Sequence, residues 1–408
     1  MAIDFTFPPE IDELRLKVRK FVAEVVRPRE AEIVQREKDR RFLVQNIVEM
    51  RVTAKEWGLW LPHMPKELGG MGLDHVAMAA VSAEAAKSAF GPYALNTQAP
   101  DEGNMHTLLH WATDAQKEKY LRPLCEGFVR SCFAMTEPEV AGSDPTLIQT
   151  RAVLDGDSWV VNGHKWFISG ASGAAFAILI ARTEDAPSIP QAANSAFLVD
   201  LPSTGWNVVR DVLTMAGHHN HAEIRIENLR VPKENMLGDR GQGHRLGQAR
   251  LGPARLAHCM RWLGQAEVAL DMMVDRALKR YAHGSLLADK QGIQWMIADS
   301  TMELYQSKLM VLHAAYKIDR GEDFRSEVSM AKHFVANALN RIVDRAIQVH
   351  GALGYSLDTP LATMALHARW ARFADGADEV HQWRIAERTI AAYKKDESTR
   401  MATGGLPV

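Results

Sequence analysis

Cysteine is scarce. The 408 residues hold three, Cys125, Cys132 and Cys259, an odd number with no C-x-x-C spacing. That argues against a disulfide framework and fits a reducing compartment. No apolar run approaches the length of a membrane span. Charge of one sign is not in excess: 48 Lys and Arg stand against 50 Asp and Glu, a net charge of -2. A strong pull toward nucleic acid or anionic lipid is therefore not expected. Sixteen histidines include no H-E-x-x-H, and no metal is expected. The cluster of His218, His219 and His221 around Asn220 reads as a polar turn entering a strand. Gly241, Gly243 and Gly247 do not fit G-x-G-x-x-G, which argues against a Rossmann unit. No internal repeat or low-complexity tract is present. The start, MAIDFTFPPEIDELRLKVRKF, lacks an apolar signal core and is too acidic for a transit peptide. The end, GGLPV, is no peroxisomal address, so the expected location is the cytoplasm.

What is there is ordinary folded-protein composition, 47% apolar and 24% charged. The length is too great for one core. Pro8 and Pro9 open a first helix. Ile11, Leu14, Val18, Phe21, Val22 and Val25 recur at helical spacing, and Pro28 is expected to end the run. Helical stretches continue to about residue 130, interrupted by ELGGMGLD (67–74) and APDEGN (99–104). From 131 to 245 the pattern is short strands: AFAILIAR (175–182), SAFLVDL (195–201) and the alternating HAEIRIENLRV. Asp155-Gly156 marks a turn, and Asn162-Gly163 is a strong hairpin signal. No helix-length pattern separates these runs, so an antiparallel sheet or barrel is expected. Beyond 245 the helical period returns. Leu263, Ala266, Leu270 and Met273 form one stripe. Phe334, Val335, Ala338, Leu339, Ile342, Val343, Ala346 and Ile347 form another, closed by Gly351 and Gly354. The fold class expected is α+β: a helical domain over 1–130, a β domain over 131–245 and a helical bundle over 246–408. The tail after about 393 is expected to fray.

The most informative segment is CFAMTEPEVAGSDPT (132–146), a strand running into a loop of Thr, Ser, Gly and Asp. Its main-chain N–H groups and hydroxyls suit a planar cofactor edge or a phosphate, and equally a solvated turn. The segment resembles the acyl-CoA dehydrogenase signature. The resemblance extends along the chain through APDEGN, HKWFISG (164–170), RLGPARLAHCMRWLGQAEVALD (250–271), QVHGALGY (348–355) and ADGADEVH (374–381). It is greatest to the branch of family members ten and eleven, which shares the extra residue between Pro138 and Ala141.

That resemblance implies an acyl-CoA dehydrogenase-like fold and bound FAD. Phe133, Met135 and Thr136 would line the flavin, with Thr136 on its pyrimidine edge. Ser143 would lie near the acyl group or the flavin. Phe167 would take the aromatic place beside the ring and Ser169 the hydroxyl place near N5, although the commoner family pattern there is Trp-Ile-Thr-Asn. Trp166 and Phe167 also fit plain sheet packing. Arg280, which by itself reads as a surface cation, matches the arginine that binds FAD pyrophosphate across a subunit boundary. Gln348 through Ala352, including Gly351, match the segment touching the adenosine half of a neighbour's FAD. Arg255 matches a buried arginine near the catalytic centre and the substrate, and Glu379 stands where relatives carry a flavin-contacting glutamine.

Removing a proton α to a thioester needs a positioned, partly desolvated carboxylate. Donors on the thioester carbonyl would make that proton more acidic. The family's usual base is a glutamate before a glycine near the C-terminus. Here the matching residue is Asp375 before Gly376, and the alternative base position is Ala254. As a bare residue Asp375 also fits a loop or cap aspartate. The expectation is α,β-dehydrogenation of an acyl-CoA: Asp375 takes the α proton, N5 takes the β hydride, and an electron-transfer flavoprotein takes the electrons. A homodimer or homotetramer is implied. The alternatives are an acyl-CoA or nitroalkane oxidase on the same fold, and a noncatalytic CoA- or flavin-binding protein.

Overall fold

Pro8 and Pro9 introduce the first helix, Pro9–Phe21, where a missing N–H leaves no acceptor short of a partner. Pro28 does not end the run. A π-type turn at Val22–Val26 leads straight into a helix Arg27–Gln35 that carries Pro28 in its first turn. The widened turn absorbs the hydrogen bond that proline cannot make. This computed structural model describes residues 6–36, 39–185, 188–215, 217, 220–399 and 402–403. His218 and His219 lie outside them.

The chain forms two compact units. One comprises residues up to 63, 72–95 and 255 onward; the other comprises 64–71 and 96–254. The first is helical. Asp39 caps the helix Arg40–Glu56 by accepting from Phe42 N at 3.0 Å, and Asp74 caps His75–Ala85 by accepting from Ala77 N at 2.8 Å. Long helices Gly243–Lys279, from residue 255 on, Gln291–Asp319 and Arg325–His350 supply most of its core. Leu263, Ala266 and Met273 pack there with Val311, Val335, Leu339, Ile342 and Val343. Gly351 ends its helix at φ +65°. The helices Leu361–Ala371 and Asp378–Asp396 complete the unit. The last one stays wound past residue 393, where fraying is expected, with Lys394 and Lys395 complementing the negative end of its dipole.

The second unit is built on eight strands: β1 Ser131–Ala134, β2 Arg151–Asp155, β3 Ser158–Ser169, β4 Phe176–Arg182, β5 Asn194–Asp200, β6 Trp206–Asp211, β7 His221–Pro232 and β8 Met236–Leu237. Their order is β6-β7-β3-β2-β4-β5-β8, with β1 against β4. Most pairs are antiparallel, but β1 runs parallel to β4, and β2 meets β4 in parallel at Arg151 and Arg182. Ala222, Ile224, Ile226, Leu229 and Val231 of β7 face the core with Trp159, Val161 and Phe197.

Asn162-Gly163 is not a hairpin. The β2–β3 turn is made by Gly156 and Asp157, directly after Asp155, and β3 runs on through Asn162 with a bulge between Val161 and Gly163. Two local features override the turn signal. A side chain at 163 would collide with that of Thr150, so glycine serves close approach. Asn162 Oδ1 accepts from Asn228 N at 2.8 Å, which ties the bulge to β7.

Candidate active site

Strand β1 delivers Phe133 and leads into Met135 and Thr136, all half-buried. The corner that follows is tied to β3. Thr136 Oγ1 donates to Trp166 O at 2.7 Å, and Trp166 N donates to Thr136 O at 3.1 Å. Beneath it lies a buried ion pair. Lys165 Nζ donates to Glu137 Oε1 and to Met135 O, each at 2.8 Å. Glu137 also accepts from Gln149 N at 2.7 Å and Thr150 N at 2.9 Å. Burial pushes the Lys165 ammonium down to about 8 against the pull of Glu137. Burial pushes the Glu137 carboxyl up, but Lys165 and the N–H donors outweigh it and hold it below the usual range. The sequence reading missed this pair: nothing in HKWFISG separates a buried lysine from a surface one.

A second bulge on β3, between Lys165 and Ile168, puts Phe167 at φ +53° and leaves it 44% exposed. Sheet packing is thus not its role, whereas Ile168 beside it is buried in the core. The Trp166 and Phe167 rings meet edge-on at 4.8 Å. Ser169 Oγ lies 2.9 Å from His221 Nδ1. Ser143 is exposed in the turn after Gly142. A small cleft is lined by Met135, Thr136, Ala141, Gly142 and Asp144. Within this unit Arg250 lies over the Phe133 ring at 4.3 Å and donates to Asn104 Oδ1 at 2.9 Å.

In the helical unit Asp375 sits at φ +53° and Gly376 at φ +112°, just ahead of the helix Asp378–Asp396. Two cations, half-buried Arg255 and buried Lys332, hold this loop by its main chain. Arg255 Nε donates to Asp375 O at 2.7 Å, and Lys332 Nζ donates to Gly376 O at 2.6 Å. Burial lowers both, Lys332 to about 8. The Asp375 side chain keeps 25% of its exposure, and its Oδ2 is 3.3 Å from His258 Nε2. Behind the loop Asp378 accepts from Arg372 Nε at 2.7 Å and Asn337 Nδ2 at 3.0 Å. His381 is buried against Gly376 and pushed down to about 3, first by burial and then by Arg255 and Lys332. The structure thus brings Arg255 to Asp375, while Glu379 is exposed one residue into the helix. Lys332, His258 and His381 were not singled out from sequence. His258 lies within RLGPARLAHCMRWLGQAEVALD and His381 closes ADGADEVH, but neither segment gives them a role, and only helical spacing could have hinted at Lys332.

Arg280 follows the helix Gly243–Lys279, exposed and without a carboxylate partner among the described residues. Gln348, Gly351 and Ala352 form an exposed helix end and turn. The three cysteines are buried and unbridged, and burial pushes the Cys125 and Cys259 thiols up to about 12, which removes them as nucleophiles.

Three family models match in order: the acyl-CoA dehydrogenase N-terminal domain over residues 8–128, middle domain over 132–229 and C-terminal domain over 241–390. Probable acyl-CoA dehydrogenase FadE2 of Mycobacterium tuberculosis is 41% identical over 353 residues, 85% of this chain and 86% of that one. Human acyl-CoA dehydrogenase family member 11 is 36% identical over 410 residues, covering 95% of this chain; the chain spans about half, 51%, of that relative. Among solved structures, a glutaryl-coenzyme A dehydrogenase with glutaryl-CoA superposes with a TM-score of 0.83 at 28% identity, over 97% of this chain and 98% of the other.

Proposed function

The chain belongs to the acyl-CoA dehydrogenase family, and from that premise we propose that it oxidises an acyl-CoA thioester with Asp375 as the base that takes the α proton. The observation that carries this reading is the loop itself. A half-buried carboxylate stands on a backbone whose two carbonyls are held by half-buried Arg255 and buried Lys332. A base needs such fixed placement and partial desolvation. Aspartate is one methylene shorter than the family's usual glutamate, so a rigid backbone matters more here.

FAD is the cofactor of this flavoenzyme family, and when bound it supplies the acceptor for a hydride from the β carbon. The residues present fit it. The cleft beside Thr136 offers main-chain groups and a hydroxyl to a polar ring edge, and the bulge leaves Phe167 free to lie against an aromatic face. Phe133, Met135, Thr136, Ser143, Phe167 and Ser169 are assigned to the flavin, with Ser143 also serving the acyl group. Arg255 serves the substrate side. Arg280, exposed and unpaired among the described residues, is assigned to the pyrophosphate of the FAD in a second copy; Gln348, Gly351 and Ala352 are assigned to its adenosine half, and Glu379 to the flavin. Exposed Tyr355 and Leu357, at 84% and 83%, give that turn an apolar surface suited to a homodimer or homotetramer contact. An electron-transfer flavoprotein is the proposed acceptor of the electrons.

Anaerobic titration of the purified flavoprotein with acyl-CoAs of short, long and hydroxylated chains tests the proposal. Bleaching of the oxidised flavin by at least one of them is expected. No bleaching by any would refute it, and rapid reoxidation in air would mark an oxidase instead.

A further inference from the structure

We propose that His258 is a positioning residue for Asp375, donating from Nε2–H to the carboxylate that removes the α proton. The inference rests on the reading of Asp375 as the base. His258 Nε2 stands 3.3 Å from Asp375 Oδ2, within reach of a hydrogen bond. The tautomer follows from its other neighbour. Arg261 Nη2 lies 3.2 Å from His258 Nδ1. A guanidinium has donors only, so Nδ1 must accept and the ring proton resides on Nε2, facing the carboxylate.

The ring has little freedom to turn away. It stacks on Trp262 at 5.6 Å and 20°, and meets the edge of Trp370 at 5.3 Å and 72°. His258 and Arg261 are both buried, 8% and 9% exposed. The helical period makes this arrangement possible: Arg255, His258, Arg261 and Trp262 recur at three- and four-residue spacing on one helix.

The division of labour is then specific. Arg255 and Lys332 bind the loop's main-chain oxygens, and His258 meets the reacting side chain. Other charged or titratable groups around the loop, among the described residues, are Asp378 and His381 from the last helix, Arg384 further along it, Arg372 from the preceding segment, His333 beside Asp378, and Cys259 near Lys332. Arg372 is engaged with Asp378, and burial keeps His381 and His63, the latter near Arg261, uncharged at neutral pH. A donor to an ionised carboxylate stabilises that form and lowers its proton affinity. His258 therefore keeps Asp375 ionised, and so competent as a base, to lower pH, and it fixes which oxygen remains available to the substrate.

The test is an infrared pH titration of the full-length FAD-loaded protein. The carboxyl C=O band of Asp375 is identified by its loss in Asp375→Asn. In His258→Phe, which keeps a ring in the slot but has no donor, the midpoint of that band should rise by about one pH unit. The acid limb of the flavin-reduction rate should rise with it. His258→Gln, whose amide N–H can donate, should fall back toward the wild-type midpoint. An unchanged midpoint in folded His258→Phe overturns the inference; if that variant does not fold, a His258→Gln midpoint displaced as far as that of His258→Ala overturns it equally. Undiminished flavin reduction by Asp375→Asn would instead refute the base assignment, while the infrared midpoint would still decide whether His258 donates.

Discussion

Arg255 donates from Nε to the main-chain oxygen of Asp375 at 2.7 Å, so the guanidinium holds the backbone of the proposed base in a left-handed conformation that aspartate adopts only sparingly. Arg255→Met removes that hold. Flavin reduction should slow about 100-fold, the scale of a misplaced reacting group, with FAD content unchanged. Stopped-flow absorbance, together with the protein-to-flavin absorbance ratio, separates the two. An unaltered reduction rate would show that the loop holds itself.

The Lys165–Glu137 pair supports the corner that carries Met135 and Thr136. Replacing Lys165 with Met leaves a buried carboxylate without its cation, at a cost of about 3–5 kcal/mol. The double variant Lys165→Met/Glu137→Gln should recover part of that loss, because no uncompensated charge remains. Urea unfolding of the two variants measures the difference. Equal stabilities would mean that the charge on Glu137 is compensated in some other way.

The same pair gives a pH dependence of known sign. Glu137 is pulled below its unfolded value of 4.5, by Lys165 and N–H donors against the push of burial. Its folded affinity for protons is the weaker one. Its contribution is therefore complete above the unfolded value and is lost as pH falls through the depressed folded value. The unfolding free energy of wild type relative to Glu137→Gln should shrink from about pH 6 to about pH 3. A constant difference across that range contradicts the assignment.

Phe167 is exposed on a bulge and contributes little to the sheet core. Phe167→Ala should leave the melting temperature of the apoprotein nearly unchanged, as surface changes do. FAD affinity should fall about tenfold or more, the scale of one lost stacking contact. Fluorescence titration of the apoprotein with FAD reads this directly, and wild-type affinity would place the ring away from the flavin.

The order of helices, strands and helices was legible because it depends on hydrophobic period, which the chain states clearly at Val18, Phe21 and Val22, or at Ile224 and Ile226. What misled were local signals overruled by contacts distant in sequence. Asn162-Gly163 has turn chemistry, yet Thr150 and Asn228 make it a bulge. Pro28 has the chemistry of a stop, yet the π-type turn before it lets the helix continue. The segments carrying Asp375, Arg255 and Thr136 could be found from motifs. Their supports could not. Lys165, Lys332 and His258 are ordinary polar residues in the sequence, and only burial against a particular carbonyl or carboxylate gives them a role.

The account rests on Asp375 as the base, and anaerobic stopped-flow reduction of Asp375→Asn tests it most directly. With an acyl-CoA that bleaches the wild type, the FAD-loaded variant should bind ligand yet reduce its flavin about 10²–10⁴-fold more slowly. Reduction at the wild-type rate by that variant would contradict the account.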